Sequence, residues 1–326
     1  MDQYILSLET IDTHTVGEAT RIVINGFPDI VGETMMEKKE YVKENYDHLR
    51  KLLMNEPRGH KDMFGSILTE PCNEKCDIGI IFMDSGSYLN MCGHGTIGTV
   101  TMCLTKGIIP KKELIYVDTP SGVIECRAYF KGDQVESIEF TNVPAFILHK
   151  GLSIKLNDIG DVSVDIAFGG SFFGIINSSD IGVNIDLSDK QRILELATEA
   201  RDYINEHIHI EHPTIPNIRT VDLIEITNKI SDNHYKNVVV FGDGQIDRSP
   251  CGTGTCAKMA ALELEPGASI IQESIIGSTF EGKVLGKTKI AEIDAIIPAI
   301  KGSAWITGEH RFILQEADIY AEGFAI

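Results

Sequence analysis

The segment CGHGT at residues 92–96 recurs as CGTGT at residues 251–255, 159 positions further along the chain. Each copy begins ten residues after the phenylalanine that ends a short apolar segment, residues 80–82 in one case and residues 239–241 in the other. An apolar segment, a turn rich in Gly, Asp and Ser, and a run with helical spacing predict a strand, a turn and a helix. We therefore expect two similar units, each with a cysteine at the N-terminus of its helix.

The repeat extends upstream of both cysteines. Residues 37–54 and residues 189–206 carry apolar side chains at the spacing of an amphipathic helix. A strand is predicted ahead of each helix, at residues 19–24 and at residues 164–176. A repeat of about 150 residues is too long for a solenoid and predicts two similar domains.

Two smaller signals accompany the repeat. Ser188 and Gln191 have the spacing of a capping box at the start of the second amphipathic helix. A predicted turn at Ser121 and Gly122 has a counterpart in the second half at Gly282, which follows Glu281. Both signals suggest that the local structure is duplicated as well as the motif.

The length of 326 residues exceeds the usual size of a domain with one core. We predict a first domain of residues 1–140, completed by a C-terminal segment of about residues 305–326, and a second domain of residues 141–304. The first contains Cys92 and the second Cys251. We expect the active site in the cleft between them.

The composition narrows the function. Hydrophobic residues make up 43% of the chain and charged residues 24%, as in a folded globular protein. The net charge of -19 disfavours nucleic acid as a partner, because phosphate binding needs a basic face. With neither a basic leader nor an apolar run of membrane-spanning length, we expect a cytoplasmic protein without membrane contact. Seven irregularly spaced cysteines indicate reduced thiols rather than a disulfide framework.

Cysteines at helix N-termini favour proton chemistry. The positive end of a helix stabilises a thiolate and lowers the pKa of the thiol. Amides next to Cys92 and Cys251 are suited to a substrate carboxylate; they belong to Gly93, His94, Gly252 and Thr253. If the two thiols face one carbon atom from opposite sides, one removes a proton while the other delivers one, and the stereocentre inverts. The pattern therefore predicts an amino-acid racemase or epimerase.

Residues 91–98 and residues 247–255 closely resemble the corresponding motifs of the proline racemase family. The resemblance continues through residues 12–21, 56–60 and 168–173 and runs nearly from end to end. It implies an α/β fold like that of diaminopimelate epimerase, with two pseudo-symmetric domains that each curl a β-sheet around a central helix. It also implies a homodimer that needs no cofactor, and we expect no metal site. By position, Cys92 and Cys251 resemble the family's two catalytic bases, and His94 and Asp247 resemble residues near the ring nitrogen of the substrate.

Members of this family act on different substrates. The 3-hydroxyproline dehydratases typically carry Thr where this chain has Cys251, so that alternative is weakened. The 4-hydroxyproline 2-epimerases tend to have polar pocket residues, whereas Phe64, Leu223 and Phe241 stand at the matching positions here. Burying a ring hydroxyl without a partner costs about 1–3 kcal/mol, so an apolar pocket favours unsubstituted proline. We expect L- and D-proline as substrates, with 4-hydroxyproline epimerisation as the alternative.

Two functions of other classes use the same cysteines. A thiol redox switch or binding protein would exploit the ready oxidation of facing thiols of low pKa. A cysteine hydrolase would use His94 as its base, but hydrolysis needs one nucleophile rather than two equivalent cysteines.

The remaining cysteines have less specific signals. Cys72 and Cys76 have a spacing that metal ligands also show, but no matching Cys/His pair follows them. Cys103 and Cys126 lie in apolar surroundings and are predicted to be core residues. Cys256 stands where family members often have Ser, and we expect it to pack in the core.

Overall fold

The computed structural model describes residues 4–242 and 244–324 and divides into two compact units. Unit 1 contains the described residues up to Phe140 together with those from Ser303 onward, and unit 2 is Thr141–Gly302. Among the described residues, no helix is both long and apolar enough to cross a membrane.

Unit 1 is a sheet with two helices. Along the sheet the order is β18, β1, β2, β3, β4, β6, β7 and β8, and β5 also pairs with β4. The pairs β2/β3 and β4/β6 are parallel and the others antiparallel. The elements are β1 (Tyr4–Thr15), β2 (Glu18–Asn25), α1 (Met35–Met54), β3 (Phe64–Thr69), β4 (Ile78–Asp84), β5 (Tyr88–Leu89), α2 (Gly93–Lys106), β6 (Leu114–Thr119), β7 (Gly122–Lys131), β8 (Gln134–Thr141) and β18 (Ala304–Gln315).

Unit 2 repeats this topology. Its order is β9, β10, β11, β12, β13, β15, β16 and β17, and the short β14 pairs with β13. The pairs β11/β12 and β13/β15 are the parallel ones. The elements are β9 (Phe146–Leu156), β10 (Gly160–Phe168), β11 (Phe172–Asn177), α3 (Lys190–His207), β12 (Val221–Ser231), β13 (His234–Phe241), β14 (Gln245–Ile246), α4 (Gly252–Ala261), β15 (Ser269–Glu273), β16 (Thr279–Ile290) and β17 (Ile293–Gly302).

In each unit, a helix connects each parallel pair of strands. α1 connects β2 to β3, as α3 connects β11 to β12, and α2 lies between β5 and β6, as α4 lies between β14 and β15. A helix is the usual connection between parallel strands, because the chain must return to the same end of the sheet. The predicted duplication is therefore present in strand order as well as in sequence.

The two cysteine-bearing helices are central to their units. Every residue of α2 from Gly93 to Leu104 is buried, and the helix contacts β1, β2, β3 and β18. In unit 2, α4 contacts β9 to β11 near one end of the strand order and β16 and β17 at the other. A helix that is buried on all sides forms part of the core. The predicted mixed α/β class, with a curled sheet around a central helix, is confirmed.

The sheet of unit 2 has a hydrophobic cluster on each face. Phe172 packs with Ile193 and Leu196 of α3, whereas Phe173 packs with Cys251 and Ala257. Adjacent residues of a strand point to opposite faces, so the pair serves both layers. β11 therefore connects the α3 side of the core to the α4 side.

Three local predictions were wrong. Residues 164–176 are not one strand, because the chain turns between Phe168 and Phe172, where Gly170 has φ +122°. The predicted capping box at Ser188 is absent, since the N-cap of α3 is Asp189 and Ser188 belongs to the preceding 3-10 turn. Gly282 lies within β16 rather than in a turn. The turn before β16 instead contains Gly277, with φ +83°, as Gly122 begins β7.

The core cysteines were predicted correctly. Cys103, Cys126 and Cys256 have no exposed surface. Burial raises the pKa of Cys103 to about 12 and that of Cys256 to about 12. All three are therefore packing residues with neutral thiols.

His212 is buried against aromatic rings in unit 2. Its ring centroid lies 4.6 Å from that of Phe168 and 5.3 Å from that of Phe146. Its Nδ1 accepts hydrogen bonds from the N–H groups of Thr214 and Ile215. Both bonds require an unprotonated Nδ1, and burial lowers the pKa of this imidazole.

We predict that His212 makes the protein less stable in acid. Because its folded-state pKa is depressed, the unfolded chain binds the proton more readily, and stability falls as the pH drops below about 6.5. Chemical denaturation at several values between about pH 5 and pH 8 should show a smaller loss in His212→Gln than in the unchanged protein. His209→Gln is the control, because its side chain is 84% exposed. An equal pH dependence in the unchanged protein and His212→Gln would contradict the prediction.

Candidate active site

Cys92 is the N-cap of α2. Its backbone is extended, with φ -149°, and its Sγ accepts a hydrogen bond from the N–H of Gly95 at 3.4 Å. This hydrogen bond to the third helical amide is the same one that an N-cap Ser or Asp side chain accepts in other helices. The thiol is thereby held at the start of the helix, beside amides that have no partner within the helix.

His94 is the immediate partner of the Cys92 thiol. Its Nδ1 lies 3.2 Å from Cys92 Sγ, and its carbonyl oxygen accepts a hydrogen bond from the Thr15 hydroxyl at 2.8 Å. Both side chains are buried. An imidazole in contact with a thiol can hold its proton, which favours the thiolate.

Phe64 lies on the other side of the His94 ring. The two ring centroids are 4.4 Å apart at an interplanar angle of 66°. A Cβ added to Gly95 would come within 3.0 Å of the Phe64 ring, so glycine is needed for this approach. The structure therefore brings together Cys92, Gly93, His94 and Phe64 at the start of α2.

Cys251 occupies the equivalent place on α4. Its Sγ accepts a hydrogen bond from the N–H of Gly254 at 3.4 Å and lies 3.6 Å from the Thr253 hydroxyl. Its φ of +62° is a conformation that residues other than glycine rarely adopt, at a cost of about 1–3 kcal/mol. Such strain is concentrated at functional sites, where the surrounding structure holds the residue in place.

The expectation of a low pKa at both thiols was wrong for Cys251. Burial and the nearby carboxylate of Asp247 raise the pKa of this thiol well above its usual value. The hydrogen bonds from Gly254 and Thr253 act in the opposite direction but do not compensate. Its surroundings therefore favour the protonated form of the Cys251 thiol.

Asp247 is linked to Cys251 through Ser249. Its Oδ1 accepts hydrogen bonds from both the N–H and the hydroxyl of Ser249, at 2.8 and 2.7 Å. The Ser249 hydroxyl oxygen in turn accepts from the N–H of Cys251 at 3.1 Å. Asp247 is buried and helps to position the strained Cys251. The sequence predicted Asp247 near a substrate nitrogen but did not predict this positioning role.

The predicted pocket residues of unit 2 differ in their placement. Leu223 packs against the cluster that contains Cys251, Phe173 and Ala257. It stands 159 positions after Phe64, so the two apolar side chains are equivalent in the repeat. Phe241 is half-buried at the end of β13, opposite Gln245, and is not part of that cluster. Gly252 and Thr253 form the first turn of α4, as predicted from the motif.

Sequence reasoning missed Gly169, which supports the first turn of α4. A Cβ at this position would lie 2.2 Å from the carbonyl oxygen of Thr253 and 2.6 Å from the amide nitrogen of Ala257. The carbonyl of Gly169 accepts a hydrogen bond from the Asn142 side chain at 2.6 Å. Two adjacent glycines in the segment FGGSFF, residues 168–173, suggest a close backbone approach. Only the fold shows that the approaching segment is the first turn of α4.

It also missed two buried charged residues behind Cys251, Glu225 on β12 and Lys258 on α4. The sequence contained a signal for them. At the positions 159 residues earlier, the first half of the chain has the neutral Ser66 and Thr99, so a comparison of the two halves singles out Glu225 and Lys258.

Cys72 and Cys76 lie apart from both sites. They are half-buried, and burial raises the pKa of Cys76 to about 11. Within residues 4–242 and 244–324, no group of three His, Cys, Asp or Glu side chains is arranged to hold a metal ion.

Comparisons with known proteins agree with one another. Residues 10–325 match the protein family described as proline racemase. The chain is 48% identical to the proline racemase of Clostridioides difficile over 329 aligned residues, which cover 98% of each sequence. It is 45% identical to the proline racemase of Acetoanaerobium sticklandii, again over 98% of each. The crystal structure of a hydroxyproline epimerase from Agrobacterium vitis, with bound trans-4-hydroxy-L-proline, is similar with a TM-score of 0.91 at 27% identity, covering 99% of this chain and 96% of the other.

Gly169→Ala should disturb the packing around Cys251 without replacing any side chain of that site. The added methyl group would push the first turn of α4 away, so we expect a loss of about 1–3 kcal/mol in the free energy of unfolding, measured by chemical denaturation. Gly286→Ala is the matched control, because its Cβ would meet only Ile297 at an ordinary 3.7 Å. If Gly169→Ala proved as stable as Gly286→Ala, the close approach to α4 would not matter.

Proposed function

The chain belongs to the proline racemase family, and we propose that it interconverts L- and D-proline by proton transfer between the α-carbon and two cysteines, Cys92 and Cys251. One observation carries the proposal. Each cysteine N-caps a central helix at the same place in two units of the same topology, with its sulfur bonded to the third helical amide. The chain is accordingly an isomerase that acts on an amino acid.

The reaction needs a base on one face of the α-carbon and an acid on the other. A thiolate removes the α-proton, and the electron pair left on the α-carbon takes a proton from the opposing thiol. The two cysteines end with exchanged protonation states, so the reverse reaction uses them in exchanged roles. The proposal requires both thiols to reach one substrate α-carbon, and it needs no cofactor.

The two thiols differ before the reaction begins. Burial and Asp247 keep Cys251 protonated by raising its pKa, whereas Cys92 contacts a histidine that can hold its proton. We therefore assign the starting form as a Cys92 thiolate and a Cys251 thiol. In this form Cys92 is the base and Cys251 the acid for the enantiomer that presents its α-proton to Cys92.

The substrate carboxylate is assigned to the first turns of α2 and α4. The net charge of -19 gives no general attraction for an anion, so the attraction must be local. Helix N-termini supply it through oriented amides and the helix dipole. The amides in question belong to Gly93, His94, Gly252 and Thr253. Preorganised amides also stabilise the charge that develops on the carboxylate as the α-proton leaves. His94 and Asp247 are proposed to lie near the ring nitrogen.

Apolar side chains support proline over its hydroxylated relatives. Phe64 lies against His94, and Leu223 packs into the Cys251 cluster, which are equivalent positions in the two units. Phe241, the third predicted pocket residue, is retained on the family resemblance alone. The likeness to a hydroxyproline epimerase structure favours one alternative substrate, 4-hydroxyproline, by the same chemistry.

We further propose a homodimer in the cytoplasm, with no nucleic-acid or membrane partner. A hydrolase using the Cys92–His94 contact would leave Cys251 without a role, and a redox switch would need neither first-turn amides nor an apolar pocket. Activity that requires reduced thiols and no added cofactor separates racemisation from the redox function.

Replacing either cysteine should abolish racemisation. In heavy water, we expect the unchanged protein to incorporate deuterium at the α-carbon of L- and D-proline with inversion. Cys92→Ser and Cys251→Ser should each lower racemisation by at least about a hundredfold, because a serine hydroxyl is a much weaker acid than a thiol. Cys76→Ser is the control and should retain activity, since this cysteine lies outside both sites. Full racemisation by either active-site variant would exclude the two-thiol mechanism.

The substrate preference is tested with trans-4-hydroxy-L-proline under the same conditions. An apolar pocket leaves its ring hydroxyl without a hydrogen-bond partner at a cost of about 1–3 kcal/mol, so kcat/KM should be lower than for proline by about tenfold or more. Faster turnover of hydroxyproline than of proline would make the chain a hydroxyproline epimerase instead.

A further inference from the structure

The two cysteine sites differ in the buried residues of the neighbouring strand and of the cysteine-bearing helix. In unit 1, Ser66 on β3 and Thr99 on α2 join their hydroxyl groups by a hydrogen bond of 2.9 Å. The residues 159 positions later are Glu225 on β12 and Lys258 on α4. By the offset of the repeated motif, a neutral pair in one unit corresponds to two charged residues in the other.

Glu225 lies directly behind the first turn of α4. A Cβ added to Gly254 would be 3.0 Å from Glu225 Oε2 and 3.3 Å from Cys251 Sγ. The N–H of the same glycine donates the hydrogen bond to Cys251 Sγ. The buried carboxyl group and the thiol therefore both border the space that a side chain at position 254 would occupy.

The surroundings of Glu225 hold it in place without neutralising it. Its Oε1 accepts hydrogen bonds from the side-chain amides of Asn237 and Gln272, each at 3.3 Å. Its Oε2 has no hydrogen-bond partner in the part of the chain that the structure describes. The side chain of Glu225 is fully buried, so its charge is little screened by solvent.

Other titratable groups act on this cluster. From α4, Lys258 favours the charged form of Glu225, while Cys256 is fully buried nearby. The Lys258 amine lies 5.3 Å from the centre of the Tyr235 ring on β13, and Asp165 on β10 faces it as well. Asp247 acts on Cys251 from the loop before α4. Burial is the largest effect on Glu225 and raises the pKa of this carboxyl group to about 7.

We propose that Glu225 adds to burial and Asp247 in favouring the protonated form of Cys251, because its buried carboxylate disfavours a thiolate beside the same glycine, Gly254. The inference rests on the proposed two-thiol reaction and adds a third contribution, after burial and Asp247, to the protonated state of Cys251. Ser66 places no charge behind Cys92. At this pair of positions, therefore, the second unit carries a carboxyl group where the first carries a hydroxyl group.

The test measures the thiolate of Cys251 directly. Iodoacetamide alkylates thiolates, and peptide mass spectrometry reports the rate at Cys251 separately from the other cysteines. In the unchanged protein, the alkylation rate of Cys251 should rise with pH, flatten near pH 7 and then rise again at higher pH. We expect this interruption because Glu225 gains its negative charge near pH 7 and then disfavours the Cys251 thiolate. In Glu225→Gln the interruption should vanish, and the midpoint for Cys251 should move to lower pH by about one unit.

Two further variants make the result specific. Glu225→Asp keeps a carboxylate on β12 and should retain the interruption near the pH at which that group ionises. Glu281→Gln removes an exposed carboxylate on β16 and should leave the profile of Cys251 unchanged. A profile for Glu225→Gln that coincides with that of Glu281→Gln would overturn the proposal.

The unchanged protein also provides a test that needs no variant. A single smooth rise of the Cys251 rate through neutral pH, without the interruption, would overturn the role of Glu225 even if Glu225→Gln failed to fold. Alkylation requires no turnover. A protein that showed the predicted profiles but did not racemise proline would therefore contradict the proposed function and leave the electrostatic role of Glu225 intact.

Discussion

The hydrogen bond from the third helical amide to a cysteine sulfur is the interaction on which both sites depend. Gly95 makes it to Cys92 and Gly254 makes it to Cys251. The bond places each thiol at the positive end of a helix and leaves the preceding amides directed toward the same space. The central helix must then be buried, because a short helix on a surface would not hold its first turn in one position. Curling the sheet around α2 and α4 achieves that burial.

Glycine is required where other chain segments approach these first turns. Gly95 lies under Phe64, Gly169 lies against the Thr253 carbonyl, and Gly254 borders both Cys251 and Glu225. A methyl group at any of these positions would move a helix start or a pocket residue. The glycines of the motif thus serve packing around the thiol as well as access to it.

Duplication gives the protein two similar sites, and the groups around the two sulfur atoms nevertheless differ. The proposed reaction uses one thiolate and one thiol at a time and exchanges their roles in the reverse direction. Two of the differences concern charge and polarity near sulfur. His94 contacts Cys92 where Thr253 contacts Cys251, and Glu225 replaces Ser66. Both units keep the same strand order while these side chains differ.

The sequence by itself determined the duplicated motif, the helix starts at Cys92 and Cys251 and the buried cysteines, because these depend on local spacing and on apolar periodicity. The fold class was implied by the resemblance of its motifs to the proline racemase family. It did not determine the turn at Gly170 or the cap of α3, where two glycines and a neighbouring Asp outweigh the pattern. Only the tertiary structure decided the protonation state of Cys251. The helix N-terminus alone predicts a low pKa for this thiol, but burial and the carboxylate of Asp247 raise it. Desolvation depends on everything that packs around a group, and segments distant in sequence supply most of that packing.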